Sequence, residues 1–243
     1  MQFSYELFGD ILDRLLEAGY VFERFDRALD PNNSKKIVYL RHDVDISPRS
    51  ALVMGEITAA KGAVGNHFFQ LNAETYNVFS DHTLGIIKEL RGMGHCVGLH
   101  IDQNLNGDEE APIAQTIAWF SECCTPIDKA ISFHRPTERV LGHEYKSFIN
   151  AYGSSVFQPD SYAADSRRSL DFLAKVDSWI LEGPAQVQLL LHPEWWFPHA
   201  DAHDVWADLR ARREWELAQY VTHNFKKVFE GVVAASVDDR FGV

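Results

Sequence analysis

His42-Asp43-Val44-Asp45 puts three ionisable side chains at the end of the apolar run "KKIVYLRH". Such a cluster is costly to bury and adds nothing to a core. In extended chain, residues two apart share a face, so Asp43 and Asp45 point to one side and His42 and Val44 to the other. Two adjacent carboxylates repel. A divalent cation on one relieves that and leaves the other as an ionised base. The plainer alternative has Asp45 opening the turn at "DISP" and Asp43 in water. Three further segments end in a similar way: "GHCVGLH" at His100, "SFHRP" at His134 and Arg135, and "LLLHPEWW" at His192. Imidazole with carboxylate makes an ordinary zinc shell, and arginine holds a carboxylate ionised through paired hydrogen bonds. A histidine near neutral pH can give a proton to a leaving group.

These groups act together only if the elements carrying them meet at one edge. Short apolar runs alternate with helical patterns along the chain. "KKIVYLRH", "NHFFQL", "HCVGLHI", "KAISFHRP" and "QVQLLLHPEWW" read as strands, with "SSVFQ" as a further one. "SPRSALVMGEITAAKG" reads as a helix capped by Ser47, with Pro48 at its first position and Gly62 at its end. "SDHTLGIIKELRGMG" and "DEEAPIAQTIAWFSECC" are helices, and "HEYKSFINAYG" a short one. Residues 1–20 form an amphipathic helix, with Phe3, Leu7, Phe8, Ile11, Leu12, Leu15 and Leu16 at helical spacing and Gly19 as its stop. Residues 201–231 read as one long helix, with Val205, Trp206, Leu209, Trp215, Leu217 and Phe225 as buried candidates. Strands alternating with helices predict a single α/β domain over 1–243, built on a parallel sheet covered by helices. The polar clusters then fall at the C-terminal strand ends, where such sheets bind ligands.

Bulk composition narrows the partners. The chain has 243 residues, 46% of them hydrophobic, which is enough for one sizeable core. Its 35 acidic against 23 basic residues, a net charge of −12, argue against nucleic acid. No window is apolar enough to span a membrane, and the N-terminus lacks the basic start of an export signal, so the expected compartment is the cytoplasm. Cys96, Cys123 and Cys124 lack Cys-x-x-Cys spacing and read as reduced thiols on buried faces.

Taken together and in order, "RHDVD", "GHCVGLH", "FHRP" and "LLLHPEWW" resemble the motifs of NodB-type polysaccharide deacetylases, carbohydrate esterase family four. The nearest likeness is to the "RHDVD" branch associated with surface-polysaccharide biosynthesis. It runs from Tyr20 to Trp196. The resemblance implies a distorted (β/α) barrel of about seven strands and a metal-dependent hydrolase that removes acetyl groups from N-acetylated sugars. It implies Asp43 as catalytic base, Asp45 and His100 as metal ligands, Arg135 as the arginine orienting the base, and His192 as general acid. Asn104 stands where the family carries its second metal-binding histidine. His134 is the expected replacement, with Asp102 and Asn104 as competitors. Trp195 and Trp196 would form an apolar wall on which a sugar ring stacks. The expected cofactor is one divalent metal, zinc first, with nickel or cobalt possible on the same ligands. The expected substrate is an acetamido sugar that is nucleotide-linked, lipid-linked or part of an oligosaccharide. A formamido sugar or small amide is the alternative substrate, and a non-catalytic sugar-binding protein the alternative role.

Overall fold

Strand β2 (Lys36–Val44) shows why the sheet is double-sided. Eight of its nine residues are buried, as expected of a parallel strand covered on both faces. The computed structural model describes residues 3–26, 35–197 and 201–233. Helix α1 (Tyr5–Glu17) leads into β1 (Tyr20–Phe22), which pairs with β2. Then come α2 (Pro48–Ala60), β3 (Asn66–Gln70), α3 (Asp81–Gly92), β4 (Cys96–Asp102) and the single turn α4 (Gln103–Asn106). Helix α5 (Glu110–Cys123), β5 (Ala130–His134), β6 (Ile149–Asn150) and β7 (Tyr162–Ala164) follow. The chain continues through α6 (Phe172–Glu182), β8 (Gln186–Leu191), α7 (Ala202–Asn224) and α8 (Lys226–Val233). Every pairing is parallel, in the order β6-β5-β4-β3-β2-β8-β7, with β1 beside β2. The predicted α/β fold with about seven parallel strands is therefore present, as a curled part-barrel.

Alternation along each strand divides the core. Outward residues such as Leu40, Leu189 and Leu191 pack under α1, α2 and α6 with Phe8, Leu12 and Trp179. Phe69, Leu99, Ile131 and Phe133 pack outward under α3 and α5. Inward residues Tyr39, Phe68, Cys96 and Ala130 meet Ala151 and Val156 from beyond β6. The curl is closed by side chains rather than by a strand ladder. Gln188 on β8 donates to the carbonyls of Ala151 (2.8 Å) and Val156 (3.2 Å). Gly98 permits the tight interior of the sheet, since a Cβ there would lie 2.0 Å from the Ala130 carbonyl oxygen.

Local sequence explains the element ends. Ser47 accepts from the Ser50 N–H and Pro48 opens α2, while Ser80 accepts from the Thr83 N–H and opens α3. Several expectations need correction. Residues 143–153 are not a helix, and "SSVFQ" is turn rather than strand. The backbone there bonds to side chains instead of to its own next turn. Glu110 accepts from the Lys146 and Ser147 N–H groups, and Asn150 donates to the carbonyls of Val140 and His143. The tail is also not one helix, because α7 ends at Phe225 (φ −132°) and α8 starts beyond it. Val205 and Leu209 are buried as expected, but Trp206, Leu217 and Phe225 are exposed and Trp215 half-buried. Cys123 is exposed rather than buried.

Candidate active site at the C-terminal edge of the sheet

Inward positions at the C-terminal edge bring the chemistry together. Along the sheet they run His192 after β8, Asp43 and Asp45 at the end of β2, Gln70 on β3, His100 on β4 and His134 on β5. The period-two reading of "HDVD" matches this arrangement. Asp43 faces the interior, and its neighbour His42 lies on the other face against Phe8.

Asp43 is 2% exposed and held by Arg41, which is fully buried. Arg41 Nε donates to Asp43 Oδ1 (2.9 Å) and Nη2 donates to Oδ2 (2.7 Å), a bidentate pair. Ser132 Oγ donates to Oδ2 at 3.0 Å. The guanidinium in turn donates to Gln188 Oε1 and lies 4.2 Å from the centre of the Tyr152 ring. Burial alone would raise the Asp43 pKa, but the Arg41 and His100 charges outweigh it and hold the carboxyl well below the usual range. The arginine paired with Asp43 is therefore Arg41, not the expected Arg135. Arg135 lies beyond the end of β5 in the left-handed region (φ 54°), and its side chain is exposed. Arg41 was findable in the sequence, since it sits two residues before Asp43 and so shares its face.

Asp45, His100 and His134 each offer one ligand atom, and these atoms lie within 4.8 Å of one another. His100 Nε2 is 3.3 Å from Asp45 Oδ1, a buried oxygen without a hydrogen-bond partner among the described residues. His100 Nδ1 faces the Ser132 hydroxyl at 3.0 Å, which leaves Nε2 toward Asp45. His134 Nδ1 lies 3.2 Å from Gln70 Nε2 and 3.6 Å from Asp102. Burial and the nearby His100 lower the His134 pKa, keeping its ring neutral, as a metal ligand must be. An Asp/His/His set with an orphaned carboxylate oxygen fits a divalent cation. Of the competitors, Asn104 is exposed on α4, while Asp102 caps that helix by accepting from the Asn104 N–H.

His192 is positioned by Asp165, a residue sequence reasoning left without a role. The parallel register pairs Ala164 with Leu190, which sets Asp165 beside His192. Asp165 Oδ1 is 2.6 Å from His192 Nδ1, and its carboxylate also accepts from the His192 backbone N–H and from Trp196 Nε1 (2.9 Å). Burial works against the charged imidazole, but the Asp165 hydrogen bond and charge prevail and hold its pKa at about 9. Burial pushes Asp165 upward, while the three N–H donors favour its anion, so within the pair the proton resides on His192. The His192 charge also lowers Asp43 and Asp45.

Trp196 is not a sugar wall. It is fully buried against Phe3 and Phe8, with its N–H committed to Asp165. Trp195 is half-buried, its ring 6.5 Å from that of His192. Glu194, which sequence reasoning also missed, is completely buried, and neither carboxyl oxygen has a hydrogen-bond partner among the described residues. Burial first, then the Asp45 charge, pushes its pKa well above the carboxylate range.

No known family's sequence profile matches this chain, and no curated protein matches it. Among solved structures, the Streptococcus pyogenes deacetylase PplD in complex with acetate aligns with 78% of this chain and 83% of its own, at 15% identity and a TM-score of 0.41.

Proposed function

We propose that this chain is a metal-dependent hydrolase that removes the N-acetyl group of an amino sugar. The observation that carries the proposal is a pair of proton-handling groups with opposite settings beside an Asp/His/His cluster. Asp43 is held ionised by Arg41, and His192 is held protonated by Asp165. A reaction that takes a proton from water and gives one to a departing amine needs both.

A divalent cation held by Asp45, His100 and His134 would supply a Lewis acid for the acetyl carbonyl and lower the pKa of a nearby water. The chain's own groups do the rest. Asp43 takes the proton as water attacks the carbonyl carbon. Its carboxylate accepts three hydrogen bonds here, which leaves room for about one more, from the water. His192 Nε2–H protonates the nitrogen as the C–N bond breaks, since an amide anion is a very poor leaving group. Asp165 stabilises the imidazolium and fixes its orientation. Acetate and a free amino sugar are the products.

The test is acetate release from a panel of N-acetylated amino sugars, with protein loaded with zinc, cobalt or nickel and then stripped by a chelator. The proposal predicts release that stops on chelation and returns with metal. Release indifferent to chelation, or release of formate alone, would overturn it.

A further inference from the structure

Beside the candidate active site lies a pocket of about 420 Å³ with its own chemistry. Its apolar wall is Ile46, Trp195, Val205, Trp206 and Leu209. Among the described residues, the other side chains around it are Thr75, Ala202 and three arginines, Arg168, Arg210 and Arg213. Among the described residues no carboxylate lines it, in a chain carrying 35 acidic residues against 23 basic ones. Arg213 pairs with Glu216 (2.7 Å) and Arg210 with Glu214 (3.7 Å), but both acids lie outside the lining.

The pocket shares walls with the catalytic groups. Ile46 follows Asp45 directly, the Thr75 hydroxyl donates to the Asp45 carbonyl at 2.7 Å, and the Trp195 ring is 6.5 Å from that of His192. A group attached to a sugar reacting at Asp43 and His192 would have this pocket next to it. The lining selects that group. Apart from the guanidinium groups its polar atoms are few: the Thr75 hydroxyl already donates to the Asp45 carbonyl, and the Trp195 indole N–H is buried without an acceptor among the described residues. A nucleobase would leave its own donors and acceptors unpaired here, which is costly. An aliphatic chain would not, and the guanidinium groups suit an anion at its head. We infer that this pocket takes a long aliphatic chain carried on a phosphate, so that the substrate is a lipid-phosphate-linked amino sugar. The substrate assignment rests on the deacetylase reading above, whereas the pocket's ligand does not.

The probe is dodecyl phosphate, titrated below its micellar concentration and followed by calorimetry and tryptophan fluorescence. Inorganic phosphate, dodecyl maltoside and uridine monophosphate serve as comparators. The expected result is saturable binding of one dodecyl phosphate per chain, at least tenfold tighter than any comparator. The double variant Arg210→Ala/Arg213→Ala, at exposed positions, should weaken it about tenfold with an unchanged melting temperature. Trp206→Ala, at a residue 64% exposed, gives a second check should that pair disturb folding. Equal affinity for inorganic phosphate or the neutral maltoside, preference for the nucleotide, or non-saturating uptake would overturn the inference. Acetate release from free N-acetyl sugars is scored separately on the unaltered protein. Release without dodecyl phosphate binding removes the pocket and spares the deacetylase. Binding without release keeps the pocket's ligand but overturns its place in the substrate.

Discussion

On the outer face of β2, His42 stacks on His67 with ring centroids 4.6 Å apart, and His95 meets His67 edge-on at 5.1 Å. On the inner face, one residue further along, Asp43 heads the cluster containing His100, His134 and His192. Both groups are largely buried, yet His42 and His67 on the outer face and His192 on the inner one are set for opposite behaviour. None of the four ring nitrogens of His42 and His67 has a hydrogen-bond partner among the described residues. Burial pushes His42 down to about 3 and His67 well below its ordinary value. His192 is nearly as enclosed, but the Asp165 carboxylate at 2.6 Å holds it at about 9. The partner, rather than the depth, decides whether a buried histidine carries a proton. That is how one residue type is held neutral on one face and protonated on the other.

The largest effects should come from removing the inner-face groups. Asp43→Asn and His192→Ala should each lower acetate release from metal-loaded protein about a thousandfold, in the usual range for lost general acid–base groups. Activity within tenfold of the unaltered protein would show that these residues do not handle the protons.

The outer stack governs acid stability. His42 and His67 stay neutral in the fold, while the unfolded chain protonates them below about pH 6.5. The unfolded state then binds more protons, so stability present above pH 6.5 is lost as pH falls, at about 1.4 kcal/mol per histidine per pH unit. Urea melts should show a loss of about 3 kcal/mol for the two between pH 6.5 and 5, and His67→Phe should remove part of that slope. His192 runs the other way, because its raised pKa gives stability that is full below about pH 6.5 and fades as pH rises through 9. A flat acid profile would mean that the stack is hydrated or charged.

Asp165→Asn converts an inner histidine toward the outer kind. The His192 pKa should drop below its ordinary value, and acetate release at pH 8 should fall about a hundredfold. The alkaline limb of the pH–rate profile should move to lower pH. An unmoved limb would separate Asp165 from the acid's charge state. Trp196→Phe, which removes one hydrogen bond to the Asp165 carboxylate, should cost only about 2 kcal/mol of stability, read from the urea midpoint.

The same comparison explains what was legible in the sequence. Period-two alternation assigned Asp43 and His42 to opposite faces, and the alternation of strands and helices placed four polar clusters on one edge. Both follow from local geometry. Arg41 is equally local, two residues from Asp43, but family spacing points instead to Arg135, the arginine of "FHRP". Asp165 was not local. It lies 27 residues before His192, and only the β7–β8 register brings them together. Trp196 reads from sequence as an aromatic near a site, but packing against Phe3 and Phe8 turns it into the core. On α7 the pattern of Trp206 and Leu217 suggested burial, yet no element covers that side among the described residues.

Whether Asp45, His100 and His134 hold a metal is tested by metal content per chain, measured by plasma mass spectrometry on untagged protein equilibrated with zinc. The expected result is close to one metal ion per chain, lost in His100→Ala and in His134→Ala and retained in Asp43→Asn. Protein that takes up no zinc, cobalt or nickel, or whose uptake survives His100→Ala, would contradict it.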